Sequence, residues 1–137
     1  MMRVYYNMEI NTKLLDELTA QAKESPRLRM NLDLRNSGED TSQRMLNAIE
    51  PGSVVPIHRH QRTSETMVVL RGRVVEEYYD DAGECVAQIE VSPCGPVPAL
   101  NIPAGVWHSL RSLESGTVIL EFKDGAYEPF AEEDVLR

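Results

Sequence analysis

The sequence predicts an all-β protein, an antiparallel sandwich or small barrel preceded by one short helix. Three observations predict it. From Gln43 onward the chain breaks into short runs rich in Val, Ile, Leu and Tyr, and Gly, Pro or Asp closes nearly every run. Only one stretch, ahead of those runs, has convincing helical periodicity. Seven or eight short strands joined by tight turns fit a two-sheet or closed antiparallel architecture.

The helix is expected over about 11–24, in "NTKLLDELTAQAKESP". Asn11 is a suitable N-cap, Leu14, Leu15, Leu18 and Ala22 fall on one face, and Ser25-Pro26 ends the run. The barrel strands are expected over about 43–123. "QRMLNAIE" is closed by Pro51-Gly52, and "ETMVVL" stops at Arg71-Gly72. "RVVEEYY" turns at "DDAG" into "ECVAQIEV", which reads as a hairpin with Asp80-Asp81 at a solvated tip. After the proline-rich loop "SPCGPVP" come "ALNIP", "VWHSLRS" and "TVILEFK". Gly52, Gly72 and Gly105 read as turn residues. The stretch 124–137 reads as an irregular acidic tail with a short helical end. No repeat or linker divides the chain, so 1–137 reads as a single domain.

Composition narrows the function classes. At 137 residues the chain can bury a core without disulfides. A net charge of −8 with no block of basic residues argues against nucleic acid or an anionic membrane as partner. There is no apolar run of signal-peptide or membrane-span length, which makes a cytoplasmic location the expectation. Cys85 and Cys94 form no CxxC pair and read as free, inert thiols.

The chemistry concentrates in "PIHRHQRTSE", which holds two of the three histidines. On an extended strand residues two apart face the same way, so His58 and His60 would enter one space. Glu65 begins the following strand and can face the same interior. His108, in "PAGVWH", supplies a third imidazole from a distant strand. Three imidazoles and a carboxylate suit a divalent transition metal, with iron, zinc, manganese and nickel among the ions, and leave coordination positions open on a six-coordinate ion. Trp107 would point to the opposite face and serve packing or an interface. Tyr78 and Tyr79 alternate, so at most one faces the pocket.

The spacing carries a family resemblance. "GSVVPIHRHQRTSETMVVLRG" reads Gly52, five residues, His58-x-His60, four residues, Glu65, six residues, Gly72, which resembles the first motif of the cupin superfamily. "PAGVWH" gives Pro103-x-Gly105-x-x-His108 and resembles the core of the second. Two framing positions of that second motif depart from the pattern: Val97 stands in place of a glycine and Ser112 in place of an asparagine. Neither is a ligand position. "SPRLRMNLDL", "QRMLNAIEPGSVVPIHRH" and "IPAGVWHSLRSLESGTVILEFKDGAYEP" resemble the small cupin-fold metalloproteins of the WbuC family, from about Ser25 to Pro129. Members of that family are often met among genes for surface polysaccharide synthesis. The resemblance implies a cupin-type jelly-roll barrel with one metal on His58, His60, Glu65 and His108.

Arg27, Arg29, Gln43, Arg44 and Lys123 are candidate ligand-binding residues. The resemblance includes "SPRxR" and "QR", and an arginine can grip a carboxylate or phosphate with two parallel hydrogen bonds. Surface charge is the plain alternative for each. Alternation puts only one of Gln43 and Arg44 inward and leaves open which.

Two functions fit these residues. One is a metal-dependent enzyme, oxygenase or isomerase-like, acting on a small polar molecule such as a sugar or carboxylate. The other is a non-catalytic metal-dependent module that binds or senses a small ligand. With no fourth histidine, chemistry that relies on a non-ligand histidine as proton shuttle is disfavoured. Exposed strand edges make a homodimer the expected assembly.

Overall fold

The computed structural model describes residues 8–136. Its first element, α1 (Thr12–Glu24), begins where Asn11 accepts a hydrogen bond from the Leu14 N–H at 3.0 Å, and it ends at Ser25. Leu15, Leu18 and Ala22 are buried on one face. They meet Leu46, Ala48 and Val118, which come from two neighbouring strands. Each buried leucine contributes roughly 1.5–3 kcal/mol, so this face and not helix propensity holds α1 in place.

Ten strands follow: β1 (Arg29–Asp33), β2 (Ser42–Ile49), β3 (Ile57–His58), β4 (Glu65–Arg71), β5 (Val74–Tyr79), β6 (Cys85–Val91), β7 (Ala99–Ile102), β8 (Trp107–Ser112), β9 (Val118–Asp124) and β10 (Val135–Leu136). A 3-10 turn, Glu132–Asp134, precedes β10. They form two five-stranded sheets, ordered β1-β2-β9-β4-β7 and β10-β3-β8-β5-β6. The strand pairs in both sheets are antiparallel.

β2 shows why the sheets stack as they do. Leu46 and Ala48 face the helix, whereas Ile49 faces the second sheet, so both faces of the strand are buried. Ile49, Met67, Val69, Val74, Val91, Leu110 and Ile119 fill the space between the sheets. Gly72 makes the tight β4–β5 connection at φ 88°, where a Cβ would come within 2.6 Å of the Thr117 backbone. Only glycine fits there without strain.

Strand pairing extends outside 43–123. β1, in "RMNLD", mixes Arg and Asn with apolar residues because its Arg29–Asn31–Asp33 side lines a polar cavity and not a dry core. β10 is two residues long and pairs with β3 at its far edge. β3 itself ends at His58, so the histidine pair straddles the end of a strand. Among the described residues no helix is long and apolar enough to cross a membrane.

Candidate metal centre

β3 and β8 bring the first two histidines together, because His58 and His108 are direct partners in the antiparallel ladder. Directly opposed residues share a face, and here that face is the barrel interior. Glu65 opens β4 in the other sheet and is only 5% exposed. His60 follows the end of β3, and its carbonyl accepts the Gly105 N–H at 2.7 Å. Gly105 sits at φ 84°, a conformation disfavoured for other residues, so the "PAGVWH" turn is docked on the histidine loop through its backbone.

His58, His60, Glu65 and His108 each offer a ligand atom, and these atoms lie within 4.8 Å of one another. Glu65 Oε2 is 3.3 Å from His108 Nε2 and 3.4 Å from His60 Nε2. The Nδ1 atoms of His58 and His108 lie 2.7 and 2.9 Å from the Pro56 and Val106 carbonyls. Those carbonyls accept from Nδ1–H, which leaves the Nε2 lone pairs for the interior. In a neutral His108 that lone pair then faces a carboxylate oxygen, a repulsive arrangement unless a proton or a cation lies between them. The donor set thus fits a divalent transition metal ion, with imidazole and carboxylate as its ligand types.

Electrostatics agree with that reading. Burial pushes His58 down to about 4, followed by the neighbouring His108 charge, so its ring stays neutral and able to ligate well below the usual imidazole range. Burial works against ionised Glu65, but contacts with His108 and His60, aided by Lys123, hold its carboxyl well below the ordinary value. Two further interior carboxyls go the other way. Glu121 is pushed up to about 8, first by burial and then by the Glu65 charge. Glu76 is fully buried and pushed up to about 9 by burial, then by Glu65. Sequence reasoning does not single out either acid, because a glutamate in a strand is ordinarily solvent-facing. The available signal was position: Glu121 lies between Ile119 and Lys123 on one strand face, and Glu76 lies between Val74 and Tyr78.

Two spaces that share Arg29, His58, Glu65 and Glu121 in their lining adjoin the histidines. The inner one, about 80 Å³, is lined by His58, Glu65, His108, Glu121, Arg29 and Asn47 among others. Asn47 Oδ1 is buried without a hydrogen-bond partner among the described residues. The outer cavity, about 1010 Å³, is bordered by all five candidate ligand-binding residues and by His58, His60 and Glu65. Gln43 lies opposite Lys123 in the β2–β9 ladder, on the inward face, and its amide donates to the Gly125 carbonyl. Arg44 lies opposite the exposed Phe122, and its guanidinium is taken up by the Leu34 and Ser42 carbonyls and by Asp40. Phe130 covers the histidines from outside, its ring centroid 4.9 Å from that of His58 and 5.3 Å from that of His60.

The remaining singled-out residues are peripheral. Trp107 is buried and donates its indole N–H to Asp81, with the Arg59 guanidinium 4.4 Å over its ring. Asp80 accepts from the Ala82 and Glu84 N–H groups in the hairpin turn. Tyr78 is opposite His108 and faces inward, while Tyr79 is opposite Trp107. Cys85 and Cys94 are free and exposed.

A family model described as Domain of unknown function (DUF6016) matches residues 10–91, more than half of the chain. The chain belongs to that family. No curated protein matches this DUF6016 chain. Among solved structures, the capsular polysaccharide assembling protein CapF from Staphylococcus aureus matches with a TM-score of 0.61 and 19% identity, covering 72% of this chain and 27% of CapF. A recombinant oxalate oxidase in complex with glycolate matches at 0.61 and 15%, over 77% of this chain and 55% of the other. KdgF from Halomonas sp. matches at 0.55 and 16%, over 76% and 84%. The chain thus spans about a quarter of CapF and about half of the oxalate oxidase. These likenesses establish the fold, and it is the cupin jelly roll.

Proposed function

We propose that this DUF6016 protein is a metal-dependent enzyme for a small polar molecule, holding one divalent transition metal on His58, His60, Glu65 and His108. One observation carries the reading. Glu65 Oε2 stands 3.3 Å from the inward Nε2 of His108, whose other nitrogen is taken by a backbone carbonyl. A cation between those atoms turns an electrostatic conflict into coordination. When bound, such an ion supplies Lewis acidity towards an oxygen of the bound molecule or of water, or a redox centre if it is iron.

The chain's own residues supply orientation and enclosure. The Pro56 and Val106 carbonyls fix the His58 and His108 rings, and Phe130 shields them from solvent. The cavity of about 1010 Å³ has room for a molecule of monosaccharide size or larger. A sugar is the favoured class. The segments from Ser25 to Pro129 resemble the WbuC family, and CapF, which shares the fold, is described as a capsular polysaccharide assembling protein.

The test is elemental analysis of the full chain purified without chelator, beside a His58→Ala/His60→Ala variant, followed by turnover assays on sugars and carboxylates with the metal found. Near-stoichiometric metal lost in the variant, together with metal-dependent product, is the expected result. No metal uptake from a panel of divalent ions would overturn it. Metal with saturable binding and no product would replace the enzyme by a binding module.

A further inference from the structure

We propose that Arg27 and Arg29 form a receiving site for an oxyanion, a carboxylate or phosphate borne by the molecule that binds at the metal centre. The inference rests on the reading above for the metal, but its own evidence is separate.

That evidence begins with charge pairing. Every other arginine among the described residues reaches a carboxylate within 4.0 Å. Arg27 and Arg29 do not, although the chain carries an excess of eight negative charges. Random surface placement in so acidic a protein would leave carboxylates unpaired, not arginines. Both unpaired guanidinium groups border the same cavity as the histidines. Arg29 also borders the inner space with His58, Glu65 and His108, so it stands between the outer cavity and the proposed ion.

The two arginines are also held in place. Leu28, between them, adopts φ 55°, a left-handed conformation that disfavours a bulky side chain. The surrounding bonds maintain it: Ser53 donates to the Arg27 carbonyl at 2.7 Å, and the Glu50 N–H donates to the Leu28 carbonyl at 2.9 Å. Arg29 donates one N–H to the Val54 carbonyl at 3.0 Å, the single hydrogen bond of its guanidinium among the described residues. The rest of its planar fork is available for bidentate recognition. Arg29 is half-buried, and its pKa is lowered first by that burial and then by Arg27. An arriving oxyanion would relieve both effects, and Lys123 on the same cavity wall adds a third cation.

The other charges of the cavity do not cancel this. Asp33, Glu128 and Asp134 are engaged by Arg35, Arg62 and Arg59 respectively. Glu65 belongs to the metal set, Glu121 lies beside it in the inner space, and Glu133 is the one further acid on the wall, exposed on the tail. Arg27, Arg29 and Lys123 thus gather three cations on the cavity wall, which suits a molecule with a negatively charged group at one end and a polar group for the metal at the other.

The test is calorimetric titration of the full chain with inorganic phosphate and, separately, with succinate, at constant ionic strength in chloride. Arg29→Gln, Arg27→Gln and Arg73→Gln are compared, with metal content and melting temperature recorded for each. Expected is saturable binding of at least one probe, weakened about tenfold or more in R29Q and reduced in R27Q. R73Q, which changes an exposed arginine that pairs with Glu90 and Glu114 away from the cavity, is expected to bind as the unmodified chain does, and metal content is expected to stay unchanged throughout. The Arg27 side chain makes no hydrogen bond among the described residues, so R27Q keeps the test decisive should R29Q fold poorly. Preference between the probes tells a phosphate source from a carboxylate one. Anion binding that persists in metal-free His58→Ala/His60→Ala and vanishes in R29Q would keep this inference while the metal reading failed. Saturation by neither probe, or equal affinity in R27Q, R29Q and the unmodified chain, would overturn it.

Discussion

Glu76 lies directly opposite Leu110 in the β5–β8 ladder, and neither of its carboxyl oxygens has a hydrogen-bond partner among the described residues. A fully buried acid in this position persists by keeping its proton, and burial together with the Glu65 charge pushes it up to about 9 from an ordinary 4.5. Between those two values the folded state binds more protons than the unfolded one. Stability therefore falls as pH rises through that window. Glu76→Gln, which has no proton to lose, is expected to be more stable at pH 8 by on the order of 3 kcal/mol, with the gap closing near pH 4. Urea unfolding at several pH values checks this, and parallel pH profiles for the two proteins would remove the argument.

Metal retention should follow the histidines. The folded pKa of His58 is depressed to about 4 from 6.5, so the folded metal-free protein binds fewer protons than the unfolded chain between these values. Its stability accordingly declines as pH falls through that range. Ligation also requires the neutral ring. Dialysis at stepped pH followed by elemental analysis should find metal kept at about pH 6 and released as pH approaches about 4. Full occupancy in strongly acidic buffer would exclude imidazole ligation.

Two glycines give a graded comparison. Both Gly72 and Gly105 have positive φ, but a Cβ at Gly72 would strike the Thr117 backbone, whereas one at Gly105 meets nothing within 4 Å. Gly72→Ala is expected to cost roughly 2–4 kcal/mol and Gly105→Ala about 1 kcal/mol. Thermal denaturation checks the order. Equal losses would show that backbone strain alone sets the cost.

Asp134 ties the tail to the histidine loop. Its carboxylate accepts from Gln61 at 2.6 Å and from Arg59 at 3.1 Å, and its carbonyl accepts the Arg59 N–H at 3.0 Å. Asp134→Ala should speed hydrogen exchange in residues 57–61 and weaken metal affinity several-fold while leaving exchange in β2 and β9 unchanged. Unaltered exchange in the loop would mean that the backbone pairing of β10 with β3 suffices.

Much of this was legible beforehand, for identifiable reasons. The helix could be read because Asn11 and the Leu15–Leu18–Ala22 face act through local rules. Gathering His58, His60, Glu65 and His108 in one place follows from alternation plus one antiparallel return, and the structure brings them together. β1 is harder to read because it is only five residues long: Met30, Leu32 and Leu34 do alternate, but the residues between them are polar and line a cavity, so the stretch looks like charged surface. Gln43 and Arg44 could not be separated, since alternation gives two faces without saying which looks inward. The Gln43–Lys123 pairing decides it. Glu76 and Glu121 could be read only after the two sheets had been stacked, because their burial is a property of the stack and not of either strand.

The pairing of Val135 with His58 has a consequence for the order in which the protein takes shape. Contacts between residues far apart along a chain are slow to form, because a long loop must close before anything is gained. During synthesis His58, His60 and Glu65 emerge together, His108 appears later, and the segment that clamps their loop comes last. An early ion would meet only part of its ligand set, on a loop not yet fastened. For an ion held as proposed, the full ligand set would be in place only after the barrel closes, which would make loading a late step of maturation.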